Sequence, residues 1–111
     1  MLRLALAACL FALPAAAQHA GHGAPARGAD APHVRELRAA NDRMHRDMNI
    51  RYSANPDRDF AAAMIPHHEG AIAMARTQLR HGTDPAMRRL AEEIIAAQER
   101  EIAELRAFLA R

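Results

Sequence analysis

The sequence contains no lysine, so all fifteen of its permanently basic residues are arginines. They stand against thirteen aspartates and glutamates, which leaves a net charge of only +2 at pH 7. Arginine alternates with acidic residues along the chain, as on the solvated surface of helices. The chain therefore lacks a basic patch, and we do not expect it to bind nucleic acid.

Cysteine is limited to Cys9, which lies in an N-terminal segment that we expect to be removed. Arg3 precedes a short apolar run, Leu4–Leu13, and small residues in an A-x-A pattern end at Ala17. This layout is typical of a secretory signal peptide over residues 1–17, cleaved after Ala17. The LAAC sequence that ends at Cys9 also matches a lipobox, so lipidation stays open as the alternative.

Long hydrophobic runs are missing too, since a bilayer span takes about 20 apolar residues. We expect a periplasmic or secreted protein whose mature chain has no membrane span. An exported chain without cysteine cannot be held by disulfides, so its stability must come from packing, a metal or a partner chain.

After the leader, composition divides the chain in two. Residues 18–32 are rich in alanine, glycine, proline and histidine and lack apolar periodicity, which predicts a disordered arm. Over residues 33–111, apolar side chains recur every three or four positions and no strand pattern occurs. This second region is therefore predicted to be one helical domain.

Turn signals divide that domain into three helices. Asn55-Pro56 and Asp84-Pro85 each combine an N-cap residue with a first-turn proline, and Gly82 is a stop signal. Because the turns are tight, successive helices should be antiparallel in an all-α bundle, and the wide apolar faces make completion by a dimer attractive. The predicted helices cover residues 33–53, 56–81 and 85–109.

The second helix carries a methionine beside two histidines. Met64 precedes His67 and His68 by three and four positions, so a thioether and imidazoles share one helical face. Pro66 cannot donate a hydrogen bond to the carbonyl of Ala62, which predicts a kink beside the histidines. For each residue alone, a structural interpretation as a bonded core histidine or a space-filling methionine stays open.

An antiparallel register brings soft and polar residues of all three helices into one layer. With turns near Ala54 and Gly82, Met44 and Glu101 are both predicted to lie opposite Met64. This register is defined to within about one helical turn. Thioether and imidazole ligands favour a soft ion, so we expect copper, in its reduced state, with silver as its substitute. The layer contains Asn41, Met44, His45, Met64, His67, His68, Gln98 and Glu101.

Two polar residues of the third helix interrupt its apolar stripe at that height. Gln98 and Glu101 stand where acceptors for a ligating imidazole would be needed. A buried polar pair bonded to His67 or His68 without any metal is the alternative of equal weight.

Met74 forms a weaker set with His81 and Met87. It lies about 15 Å from Met64 along the helix and cannot share the same ion. Core packing is the favoured interpretation of this set, and a second site near the last turn is the alternative. The histidines of the arm, His19 and His22, are either loose metal ligands or part of a spacer.

Two segments resemble the signature of the domain of unknown function 305 family, which includes the CopM-like periplasmic copper-binding proteins. They are residues 59–75 (DFAAAMIPHHEGAIAMA) and residues 90–102 (LAEEIIAAQEREI). The resemblance extends over about residues 41–109 and implies a ferritin-like helical bundle that serves in copper resistance or storage. One departure is Leu105, where the family commonly has a methionine, so one thioether is absent.

The resemblance implies metal ligands on the first two helices, with three further residues that bond to the ligands. The implied ligands are Met44, His45, Met48, Met64, His67, His68 and Met74, and the supporting residues are Asn41, Gln98 and Glu101.

We therefore expect a non-enzymatic exported protein that sequesters, stores or delivers copper. The alternative is a helical envelope-stress or chaperone-like interaction protein whose histidines are structural. A ferritin-like oxidase is excluded because the chain contains no Glu-x-x-His motif. The expected partner is the metal ion, while a homodimer and a copper-handling partner protein stay open.

Overall fold

The computed structural model describes Gly28 and residues 31–111, which form three α-helices with no strand among them. This confirms the all-α class. The predicted leader and nearly all of the predicted arm lie outside these residues. The helices are α1 (Pro32–Asp47), α2 (Pro56–His81) and α3 (Pro85–Leu109).

α2 and α3 start at the residues that the sequence predicted, and each start is held by a capping side chain. Asn55 Oδ1 accepts hydrogen bonds from the backbone N–H groups of Asp57 and Arg58, both at 3.1 Å. Asp84 Oδ1 accepts one from Met87 N–H at 2.9 Å. A proline begins each helix, where its missing N–H costs nothing.

The predicted end of the first helix at residue 53 is wrong, because α1 stops at Asp47. The segment 48–55 contains asparagine, isoleucine and tyrosine, which are weaker helix formers than the alanine and arginine before them. Ser53 instead donates from its backbone N–H and its hydroxyl to Asp59 Oδ1, both at 2.7 Å. The connection is thereby tied to the first turn of α2 rather than continuing α1.

α2 is the central helix, since α1 and α3 both pack on it and not on each other within the described part of the chain. His68 contacts α3 and Gly70 contacts α1, and these residues are about 200° apart around α2. The three helices therefore lie nearly side by side. The core between them is thin and consists of small and medium side chains: Ala40, Ala61, Ile72, Ala75, Ala91 and Ile102.

Gly70 sets the closest approach of α1 to α2. A Cβ atom at this position would lie 2.7 Å from Sδ and 3.0 Å from Cβ of Met44. Real Cβ atoms essentially never show a contact as short as 2.7 Å, so the missing side chain lets Met44 pack directly on the backbone of α2. The small residue therefore fixes where α1 sits along α2.

Candidate metal centre

His68 is a buried histidine in the middle of α2, with 6 % of its surface exposed. Its Nε2 atom lies 2.5 Å from Oε2 of Glu101 on α3. Its Nδ1 atom is buried and has no hydrogen-bond partner among the described residues. One ring nitrogen is thus held by a carboxylate, while the other keeps an unused lone pair or proton.

This pairing is the one that metal-binding histidines ordinarily use. When Nε2–H donates to the Glu101 carboxylate, the neutral ring carries its lone pair on Nδ1, the form that binds a metal ion. Leaving that atom unpaired inside the protein costs about 1–3 kcal/mol. A ligand that uses the lone pair would recover this cost. Glu101 was expected to accept a hydrogen bond from His67 or His68, and it contacts His68. Its role beside a metal ion stays a prediction.

Met64 lies beside this histidine, one turn earlier on α2. Met64, His68 and Glu101 line one cavity of about 450 Å³ between α2 and α3. The remaining lining is mostly apolar and includes Leu105, the position where a methionine had been expected. The thioether and the imidazole therefore open onto a shared, largely apolar space, and Leu105 adds no further ligand there.

His67 is exposed, unlike its neighbour. The ring centres of His67 and His68 are 5.7 Å apart, with the ring planes tilted by 56°. His67 does not line the cavity of Met64 and His68. It can reach an ion only from the outer side, so the two histidines are not equivalent.

Met44 does not face Met64, contrary to the prediction. It packs on Gly70 and lines a separate cavity between α1 and α3, together with Pro66 and Glu69. The predicted register failed because α1 ends early and the connection runs back along α2, so α1 is displaced toward the C-terminal end of α2. The predicted single layer is therefore divided between two sides of α2.

The other predicted residues of the first helix and its end lie outside the lining of the Met64 cavity. Asn41 and His45 are both exposed, and His45 Nδ1 lies 3.0 Å from the carbonyl oxygen of Asn41. Met48 is half-buried and caps the end of α1, with its N–H bonded to the carbonyl of Met44. None of the three lines the cavity that holds Met64 and His68.

Gln98 is half-buried on α3, one turn before Glu101, and its Oε1 atom is buried without a hydrogen-bond partner in the described chain. It does not line the Met64 cavity. Its amide oxygen is the second unpaired buried polar atom of the molecule's described part, beside that of His68.

Met74 lies at the other end of α2, with His33 and His81 around one small cavity. His81 Nε2 is 3.0 Å from Oε1 of Glu36, so it too is paired with a carboxylate of a neighbouring helix. Sequence analysis missed the partnership with His33 because the predicted register placed α1 too close to the N-terminal end of α2. The antiparallel pairing of the first two helices was the signal that could have revealed it.

No group of three or more His, Cys, Asp or Glu side chains within residues 31–111 is arranged to hold a metal ion. None of the three helices is both long and apolar enough to span a bilayer.

Comparison with known proteins gives a matching family and a relative that matches over part of its length. Over 53 residues the chain is 38 % identical to Uncharacterized protein L153 of Acanthamoeba polyphaga mimivirus. The match covers 48 % of this chain but only 35 % of that protein, so the chain spans about a third of its relative. The model of the family described as Domain of unknown function (DUF305) matches residues 10–109. The chain therefore belongs to the DUF305 family.

Proposed function

We propose that this protein is an exported copper-binding protein that sequesters, stores or delivers the ion through Met64 and His68. The observation that carries the proposal is the state of His68. Its Nε2 atom is held by Glu101, its Nδ1 atom is buried without a partner, and its side chain shares a cavity with Met64. An imidazole held in this way is prepared for a metal, and a core histidine would ordinarily have both nitrogens satisfied.

The donor set selects the kind of ion. A thioether and a neutral imidazole are soft or intermediate ligands, which suit reduced copper and its analogue silver. Calcium, magnesium and manganese need several oxygen ligands. The Met64 cavity offers the carboxylates of Asp57, Glu101 and Glu104, but Glu101 is already engaged with His68.

His67, the exposed neighbour of His68, adds a second imidazole to this donor set from outside the cavity. Its ring centre lies 5.7 Å from that of His68. Two imidazoles that share one ion, each bonded at about 2 Å, have ring centres roughly 5–6.5 Å apart. His67 can therefore act as the ligand through which an ion enters or leaves. An exposed ligand of this kind fits a protein that binds the ion and later releases it.

An anaerobic titration of the full chain with reduced copper tests the proposal directly. We expect binding that survives dialysis and falls below the wild-type level in a His67→Ala/His68→Ala variant. The matched control is His45→Ala, which removes an exposed histidine that lies outside the cavity. Retention of copper by the double variant at the wild-type level would contradict the proposal, as would displacement of copper by equimolar manganese.

A second candidate function, an interaction protein with structural histidines, is favoured by one surface. Met74, Met87 and Leu90 line a shallow groove between α2 and α3 and are 47 %, 47 % and 46 % exposed. Such a groove leaves apolar area in water that a partner would cover. We propose a second copy of the chain as its occupant, because the side-by-side helices would then gain the missing layer of a ferritin-like bundle. Monomeric behaviour at high concentration would contradict this proposal.

A further inference from the structure

The start of α1 and the end of α2 bring together three potential metal ligands that the His68 centre does not use. The ring centres of His33 and His81 are 6.2 Å apart, with their planes tilted by 51°. Both rings and Met74 line one cavity of about 270 Å³. His67 and His68 are near each other because they are chain neighbours, whereas His33 and His81 meet only because the helices are antiparallel.

His81 repeats the arrangement found at His68. Its Nε2 atom lies 3.0 Å from Oε1 of Glu36, a carboxylate supplied by a different helix. Glu36 is held in turn by the Arg80 guanidinium, through a hydrogen bond of 3.0 Å from Nε. The imidazole is therefore oriented by a fixed carboxylate, which is the usual partner of a metal-binding histidine, and its Nδ1 atom remains available.

The spacing of the two rings agrees with a shared ion. Two imidazoles bonded to one ion at about 2 Å have ring centres roughly 5–6.5 Å apart, and the upper part of this range corresponds to a wide angle at the metal. Reduced copper accepts such open, low-coordinate arrangements when thioether and imidazole ligands are present. Met74 supplies the thioether in the same cavity.

We propose that His33, Met74 and His81 form a second binding site for reduced copper. His68 and His81 lie about 20 Å apart along the axis of α2, so one ion cannot serve both sites. The inference rests on the proposed function for the identity of the ion, but its ligands are separate and can be removed separately. The protein then binds one ion in the middle of α2 and a second at its end.

Silver titration of the full chain, labelled with ¹³C at its methionine methyl groups, tests this site. We expect the methyl signal of Met74 to shift on addition of silver and that of Met87 to stay. Met87 is the matched control because it has the same exposed fraction and lies outside the cavity of His33 and His81. An unmoved Met74 signal at saturating silver overturns the proposal.

Variants connect that signal to the histidines. In a His33→Ala/His81→Ala variant, the Met74 shift should vanish and the silver bound per chain should fall by one equivalent, while the Met64 shift remains. His45→Ala should change neither signal. If the double variant is less helical by circular dichroism, Met74→Leu replaces it, with Met87→Leu as control. If the Met74→Leu chain binds as many silver ions as the wild-type chain, the second site is overturned.

The same spectra separate this inference from the proposed function. A Met64 signal that never responds, with a Met74 signal that does, contradicts copper binding at His68 and supports the site at the end of α2. The reverse pattern overturns the second site and leaves the first.

Discussion

His68 of α2 and Glu101 of α3 are joined by a contact of 2.5 Å between Nε2 and Oε2, although they lie 33 positions apart in the sequence. The histidine is buried and the glutamate is half exposed, so the carboxylate reaches from the surface to the ring. This contact fixes the orientation of the imidazole and the identity of the nitrogen left for a ligand. The proposed chemistry of α2 depends on this contact.

Glu101→Gln should weaken copper binding without abolishing it. The amide keeps the size of the side chain but accepts the Nε2 proton less strongly, so we expect a ~10–100-fold loss of affinity at the His68 site. Competition titration against a chelator of reduced copper measures the loss. Glu104→Gln is the matched control, since Glu104 lines the same cavity and is not hydrogen-bonded to His68. Equal effects of the two variants would contradict the orienting role of Glu101.

Copper should raise the melting temperature of the wild-type chain more than that of the His67→Ala/His68→Ala variant. Saturation of one site at 1,000 times its Kd stabilises the fold by ~4 kcal/mol, or roughly 15–30 °C in a domain of this size. Thermal unfolding followed by circular dichroism, with and without reduced copper, measures the difference. If the histidines only satisfy the core, both chains will show the same copper-induced rise.

Gly70→Ala should destabilise the packing of α1 on α2. Alanine is the better helix former by about 1 kcal/mol, but its methyl group would overlap Met44, and such overpacking costs about 1–3 kcal/mol. We expect a net loss of stability in urea denaturation. Combined with Met44→Ala, the same substitution should become neutral or stabilising, because the obstructing side chain is gone. If the two substitutions change the free energy of unfolding additively, the side chains at positions 70 and 44 do not contact each other.

Acid should release α1 before it unfolds the rest of the described chain. The Arg80 side chain, followed by His81, lowers the pKa of Glu36 from 4.5 to about 2. Because the pKa of the folded state is the lower one, this stabilisation is complete above pH 4.5 and is lost as the pH falls toward 2. The difference in melting temperature between wild type and Glu36→Gln should therefore be constant near neutrality and shrink below pH 4.5. A difference that persists at pH 2 would contradict the pairing.

Leu90→Glu should prevent self-association of the chain. Leu90 lies in the exposed groove with Met74 and Met87, where a charged side chain would be buried by a second copy. Sedimentation velocity of the wild type should show a concentration-dependent dimer, and the variant should remain monomeric. Ala96→Glu is the control, since it places the same charge on α3 outside the groove. If the wild-type chain stays monomeric, a second copy of the chain is excluded as the occupant of the groove.

The sequence alone determined the class of the fold and two of its three helices to the residue. Asn55-Pro56 and Asp84-Pro85 are local signals, because a cap and a first-turn proline act within four residues of each other. Gly82 was also identified as the end of α2, but for the wrong reason. Its φ is −80°, not left-handed, and a side chain there would collide with Gln78.

The contacts of the candidate ligands were decided by the tertiary structure. Pairing of Glu101 with the Met64–His68 face was predictable within a turn, because α2 and α3 are joined by a short connection whose length fixes their register. The position of Met44 was not predictable, because the segment 48–55 leaves the helix and its path depends on Ser53 and Asp59. The meeting of His33 with His81 likewise depends on how far α1 is displaced along α2, and Gly70 sets that distance through its missing side chain.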